Sequence, residues 1–194
     1  MNILNKIVII IFVTALFTGC KESYSPKPRG YFRIDLPEKS YQKLDTTLPY
    51  TFEYPTYATI THDPYAPQEK NWINVNFPSF KAVLHISYEP VHNNLDKFLN
   101  DAHTLVSKHI PKADAIYDSL IYHPEKRIYG LAFKIEGLGT ASAYQFYVTD
   151  SVKNYLRGAL YFNLKPNNDS LAPVIDFLEK DIDHMVNTMK WKNK

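Results

Sequence analysis

Seven histidines and twenty carboxylates are the side chains here best suited to chemistry, and their spacing decides whether any of it is available. A metal site needs donors that converge, yet His62, His85, His92, His103, His109, His123 and His184 contain no H-E-x-x-H and no pair four residues apart. His103 and His109 would lie about 240° apart around a helix and point away from each other. Asp181 and His184 share a helical face, but Glu179, Lys180 and Asp183 around them read as a solvated surface rather than a zinc site. Asp114 with Asp118, or Asp181 with Asp183, supplies the two carboxylates of glycan hydrolysis, with nothing to set the separation that mechanism requires. The run Gly139-Thr140-Ala141-Ser142-Ala143 lacks the closing glycine of a nucleophile elbow and reads as a hairpin hydroxyl. No glycine loop of phosphate-binding spacing occurs, so no nucleotide and no cofactor is expected. With 22 basic against 20 acidic side chains and no long Lys/Arg run, the chain offers no electrostatic footprint for nucleic acid.

The lone cysteine has a more specific setting. Lys6 precedes an uncharged, mostly apolar run at residues 7–17, and Thr18-Gly19 lead directly into Cys20, which is the layout of a secretory signal. Eleven residues at about 1.5 Å each cover only about half of a hydrocarbon core about 30 Å thick, so the run is a poor membrane span. Small residues immediately before Cys20 resemble the lipobox of bacterial lipoproteins, which implies removal of residues 1–19 and diacylglycerol on Cys20. Fatty chains such as palmitate gain about 0.8 kcal/mol per buried CH₂ and would hold the protein on a membrane leaflet in the cell envelope, facing the periplasm. No thiol then remains for a disulfide, a nucleophile or a metal. Residues 20–29 read as a polar, proline-stiffened stalk and residues 30–194 as a single globular domain.

The domain must position its polar groups on a core, and 45% hydrophobic with 14% aromatic residues is enough to build one, strand-rich in character. Apolar residues alternate at Phe32, Ile34 and Leu36, at Ile73, Val75 and Phe77, and at Leu84, Ile86 and Tyr88, each set predicting a strand with one buried face. Shorter strands fit residues 50–54 and 57–62, split by Pro55, and residues 63–71 read as an exposed loop carrying Pro64 and Pro67. Asn93 and Asn94 can cap a helix that Pro111 stops. A meander follows over residues 116–122, 128–136, 143–150 and 155–164. In its last strand Leu156, Gly158, Leu160, Phe162 and Leu164 share one face, and Tyr155, Arg157, Ala159, Tyr161 and Asn163 the other. Residues 167–170 offer capping side chains, Pro173 falls in the first turn, and an apolar stripe from Leu171 to Met189 predicts a closing helix with a cationic end at Lys190 and Lys192. The order, with no βαβ crossover, predicts an α+β fold: an antiparallel β-sheet flanked by two main α-helices, similar to the Mog1/PsbP-type α/β/α sandwich.

Several segments taken together resemble the gliding motility lipoprotein GldD family. They are the stretch Pro28-Arg29-Gly30-Tyr31-Phe32-Arg33-Ile34-Asp35-Leu36-Pro37-Glu38-Lys39-Ser40-Tyr41 after the stalk, Pro49-Tyr50-Thr51-Phe52-Glu53-Tyr54-Pro55, the joint Phe77-Pro78-Ser79-Phe80-Lys81, Ala141-Ser142-Ala143-Tyr144-Gln145-Phe146-Tyr147-Val148-Thr149-Asp150-Ser151, Leu156-Arg157-Gly158-Ala159-Leu160-Tyr161-Phe162, and Pro166-Asn167-Asn168-Asp169-Ser170-Leu171-Ala172-Pro173. The resemblance implies an envelope lipoprotein required for gliding and linked to type IX secretion, with those proteins as partners and no catalytic residue. Aromatic and arginine side chains often dominate interfaces, so the candidate partner-binding residues are Tyr31, Arg33 and Asp35, Tyr65 and Trp72 at the proline-containing loop, and Tyr155, Arg157 and Tyr161. An enzyme acting on envelope glycans and a carrier with an aromatic pocket are the alternatives.

Overall fold

The computed structural model describes residues 34–164 and 167–192. Cys20, the leader 1–19, the stalk 20–29, and Tyr31, Phe32 and Arg33 lie outside the described residues. Seven strands form one antiparallel sheet: β4 (Thr59–His62), β5 (Ile73–Phe77), β6 (Ala82–Pro90), β7 (Ala115–His123), β8 (Ile128–Glu136), β9 (Ser142–Thr149) and β10 (Asn154–Phe162), in the spatial order β4-β5-β6-β10-β9-β8-β7. Helix α1 (Leu95–Ser107) covers one face and α2 (Asn168–Thr188) the other, the α+β sandwich that the element order predicts. Of the short strands β1 (Tyr41–Lys43), β2 (Tyr50–Thr51) and β3 (Glu53–Pro55), β3 packs along α2 and pairs with β1, and β2 is buried.

The two faces of β10 explain the layering. Leu156 and Leu160 join Leu84, Ile86, Phe146 and Val148 beneath Leu178, Ile182, Met185 and Val186 of α2. Tyr155, on the opposite face, packs with Phe133, Ile135 and Tyr147 under Ala102 and Val106 of α1. Every residue of β9 is buried, because both helices cover the sheet at its centre. Gly158 is required there: a Cβ on it would sit 2.2 Å from the Phe146 ring, which the core leaves no room to move.

Four local expectations are corrected. Residues 34–36 form no strand, and Ile34 and Leu36 are exposed, since no neighbouring strand pairs with them and Pro37 cannot donate to a ladder. Neither Asn94 nor Asn167 caps its helix through its side chain. Asn94 instead accepts the His92 N–H at 2.8 Å, and Asn168 ties the start of α2 to the β8–β9 turn by donating to Gly137 O at 3.0 Å and Thr140 Oγ1 at 2.5 Å. Because α2 begins at Asn168, Pro173 lies inside it rather than in its first turn and removes one i→i−4 hydrogen bond. Lys190 and Trp191 are not a helix end but strand β11 (Lys190–Trp191), paired with β2.

Asp181 is also misread from its neighbours in sequence: it is fully buried, not solvated. Its carboxylate accepts from Lys39 Nζ at 2.7 Å, from Tyr41 Oη at 2.9 Å and from Tyr57 Oη. Lys39 Nζ also donates to Phe177 O at 2.7 Å and lies 3.5 Å from the centre of the Phe177 ring. Burial, then the bond to Asp181, pushes the Tyr41 phenol up to about 12, so it stays a donor at every physiological pH. Breaking a buried pair leaves a desolvated charge unmatched, and Lys39 keeps 29% of its side chain in water, which softens the loss. Asp181→Asn is expected to cost up to about 3 kcal/mol in urea unfolding.

The β9–β10 turn is organised by another carboxylate. Asp150 Oδ1 accepts the backbone N–H groups of Val152, Lys153 and Asn154 at 2.8–2.9 Å, and Oδ2 accepts Asn154 Nδ2 at 2.7 Å. Burial opposes the charge, but these four donors outweigh it and hold the Asp150 carboxyl below its ordinary 3.8. A lowered folded-state value contributes stability that is complete above 3.8 and is lost as pH falls through the folded value. Urea midpoints measured from pH 5 to pH 2 should therefore fall less steeply for Asp150→Asn than for the wild type.

Candidate functional site

Four of the candidate residues come together on the α1 face. Between α1 and the sheet lies a cleft of about 290 Å³, with Trp72, Tyr155 and Arg157 in its lining. Antiparallel pairing sets the arrangement: Tyr155 stands opposite Glu89, Arg157 opposite Ser87 and Ala159 opposite His85 across β10 and β6. The alternation that sends Leu84, Ile86 and Tyr88 into the α2 core thus sends His85, Ser87 and Glu89 into the cleft. Tyr161 lies further along the same face, its ring edge-on to His85 at 5.7 Å. Asp63 follows β4, Trp72 precedes β5, and α1 contributes Phe98, Asp101 and Leu105.

Polar groups in and around the cleft are held by one another. Arg157 Nη2 donates to Gln145 Oε1 at 2.5 Å, and Gln145 Nε2 lies 3.0 Å from His109 Nε2, in the loop after α1. His85 Nδ1 is 2.7 Å from Asn74 Oδ1, and with that oxygen accepting, the imidazole proton sits on Nδ1. Trp72 Nε1 donates to Tyr88 O at 3.1 Å, and Asp63 Oδ1 accepts the Tyr65 N–H at 2.9 Å. Burial lowers the pKa of His85 despite the opposing charge of Asp63, and burial with the nearby Arg157 charge lowers that of His109. Burial, reinforced by Glu69 and opposed by Trp72 and Lys97, raises the Glu89 carboxyl. Three acids, Asp63, Glu89 and Asp101, line the cleft with one guanidinium, Arg157, and Lys97 and Glu69 act on Glu89 from nearby. Among the described residues, no three His, Cys, Asp or Glu side chains are placed to hold a metal ion.

The remaining candidates divide. Tyr155 does not belong to a free surface: it is 3% exposed, stacks on Phe98 at 5.1 Å and donates to Phe98 O at 3.2 Å, because α1 lies over it. Arg157 is partly exposed and Tyr65 is 90% exposed at the tip of its loop. Asp35 is exposed but lines a different groove, on the α2 side. Tyr31 and Arg33 lie outside the described residues. His85, Glu89, Asp63, Asp101 and Gln145 were not singled out from sequence. The available signal was the polar half of the β6 alternation, set against the face of β10 that carries Arg157. In the β8–β9 connection Thr140 Oγ1 donates to Gly137 O at 3.1 Å, while Ser142, the serine of that run, is buried at the start of β9 and donates to Tyr144 O at 3.4 Å.

The described residues thus form a two-faced antiparallel sandwich with an acid-lined, partly aromatic cleft on its α1 face. The chain belongs to the gliding motility lipoprotein GldD family, matching it over residues 21–191. Membership carries involvement in gliding motility and attachment to the cell envelope as a lipoprotein. Among solved structures, the chain is similar to the solution structure of cyanobacterial PsbP (CyanoP) from Synechocystis sp. PCC 6803, at 11% identity and a TM-score of 0.47, over 82% of this chain and 97% of that one. No curated protein sequence matches the chain.

The imidazole shifts have a pH consequence. A His value below 6.5 in the folded state means that the unfolded chain takes up the proton first as pH falls, so stability is complete above about 6.5 and declines below it. Urea midpoints are expected to drop between pH 7 and pH 5, and the His85→Gln, His109→Gln double variant should flatten that drop.

Proposed function

We propose that this protein is a lipid-anchored, non-enzymatic accessory component of gliding motility and of the linked type IX secretion machinery, and that it works by binding another component through the cleft beneath α1. Family membership supports the process, and the layout before Cys20 supports the anchor, in a periplasm-facing position. The convergence of Trp72 and Arg157 with Asp63, Glu89 and Asp101 in one cleft carries the binding reading. Its chemistry fits a segment that presents a Lys or Arg side chain: the carboxylates take the cation, Trp72 supplies an aromatic wall, and Arg157 is braced by Gln145.

The cleft volume also favours a second reading, a small-ligand lipoprotein, since about 290 Å³ lies at the lower edge of ligand pockets, which run from about 300 Å³. The two differ in what they bind. A deletion strain should lose colony spreading and export of secretion cargo, with both restored by the intact gene and neither by Cys20→Ala. Asp101→Lys, which puts a cation into the cleft, should restore neither while still accumulating as a folded lipoprotein. Normal spreading and export in the deletion strain would refute the reading. Full rescue by Asp101→Lys would remove the cleft from it, and a small molecule co-purifying with the wild type would favour the carrier.

A further inference from the structure

On the face of the sheet opposite the cleft, a second groove of about 640 Å³ runs past the point where the described residues begin. Among the described residues, Ile34, Leu36, Tyr57, Phe80, Leu164 and Leu171 line it, with Asp35 the acid and Lys81 the base. Single exposed apolar residues are ordinary, but here Ile34 (37% exposed), Leu36 (40%) and Leu164 (43%) share one concavity. Phe80 packs against Tyr57 and Phe177, which makes the groove floor a continuation of the α2 core. Lys81 follows it in a left-handed turn (φ 49°) and is exposed.

The length of chain ahead of this groove decides what can cover it. Cys20 and Ile34 are 14 residues apart, a reach of at most about 50 Å. An anchor at Cys20 would therefore keep the groove near the leaflet at an effective concentration in about the millimolar range, where even a weak apolar contact is occupied. The sequence over residues 21–33 carries Lys21, Lys27, Arg29 and Arg33 against Glu22, which complements an anionic headgroup surface.

We infer that this groove is a second membrane contact, in which Ile34, Leu36 and Leu164 at its rim seat in the headgroup boundary of the leaflet that holds Cys20, with Lys81 at the phosphates. The inference rests on the reading of Cys20 as a lipid anchor. Because the sheet separates groove from cleft, a groove seated on lipid turns the α1 cleft toward the aqueous side, where a partner can reach it. The contact orients the domain; the acyl chains retain it.

The test uses the full lipidated protein in vesicles of phosphatidylethanolamine and phosphatidylglycerol. With Cys20 blocked by lipid, Leu36→Cys or Leu164→Cys is the sole free thiol and takes an environment-sensitive fluorophore, while Leu120→Cys on β7, 74% exposed, serves as the aqueous reference. Flotation with the vesicles reads the anchor separately from the groove. The expected result is flotation of all three, with a blue shift and several-fold stronger quenching by nitroxide lipids at positions 36 and 164 than at 120. Flotation with equal quenching at all positions overturns the groove contact and leaves the anchor standing. A blue shift without nitroxide quenching assigns the groove to protein and also overturns it. Failure to float overturns the anchor and the groove contact together.

Discussion

A carboxylate with no access to water has to be matched inside the protein, and that requirement at Asp181 organises the α2 side of the fold. An unpaired charge there would cost several kcal/mol, so the helix can bury this position only if a cation comes to it. Lys39 does so from more than a hundred residues away in sequence, and Tyr41 and Tyr57 donate to the same carboxylate. The segment bearing Lys39 and Tyr41 is thereby fixed along α2, β1 can pair with β3, and His184 stacks on Tyr41 at 3.7 Å while meeting Glu53 at 2.8 Å. The course of the chain as it comes into the domain follows from one buried charge.

The sheet then divides the molecule into two chemistries. Toward α2, β6 and β10 present leucine and isoleucine to a large helix, and that side is a filled core. Toward α1 the same strands present His85, Glu89 and Arg157, and the shorter helix covers only part of them. The space between that helix and these side chains is the cleft.

Much of the scaffold was legible because half-buried strands and helices write their period into the sequence. The residues of β5, β6, β8, β9 and β10 and the stripe of α2 could be placed to within a few positions from alternation alone. Residues 34–36 carry the same alternation with no strand to pair with, and periodicity does not report a missing partner. Asp181 misled for a related reason: its sequence neighbours are charged, but its burial depends on β1 and Tyr57, which approach from outside the helix. The cleft was half legible. Arg157 and Tyr155 could be assigned to one face of one strand, whereas Glu89, Asp63 and Asp101 join them only through three-dimensional register among β4, β6, β10 and α1. Tyr155 shows the cost of reading residue type alone, since an aromatic side chain fits an interface and a core equally well.

The clasp at Asp181 also determines how the domain would bear tension. A pull on the chain ahead of Ile34 meets the Lys39 contacts before it reaches the first ladder pair of β1, Tyr41 with Pro55. Lys39 and Tyr41 both bond to Asp181 from the pulled segment, while Tyr57 holds the same carboxylate from beyond β3, so two bonds must yield together, and the β1–β3 ladder behind them is only three residues long. The far end of the chain is secured independently, where β11 pairs with β2 and Lys192 donates to Thr46 O at 2.5 Å. Tension on the chain ahead of Ile34 is thus expected to strip residues 34–43 from α2 before it reaches the seven-stranded sheet.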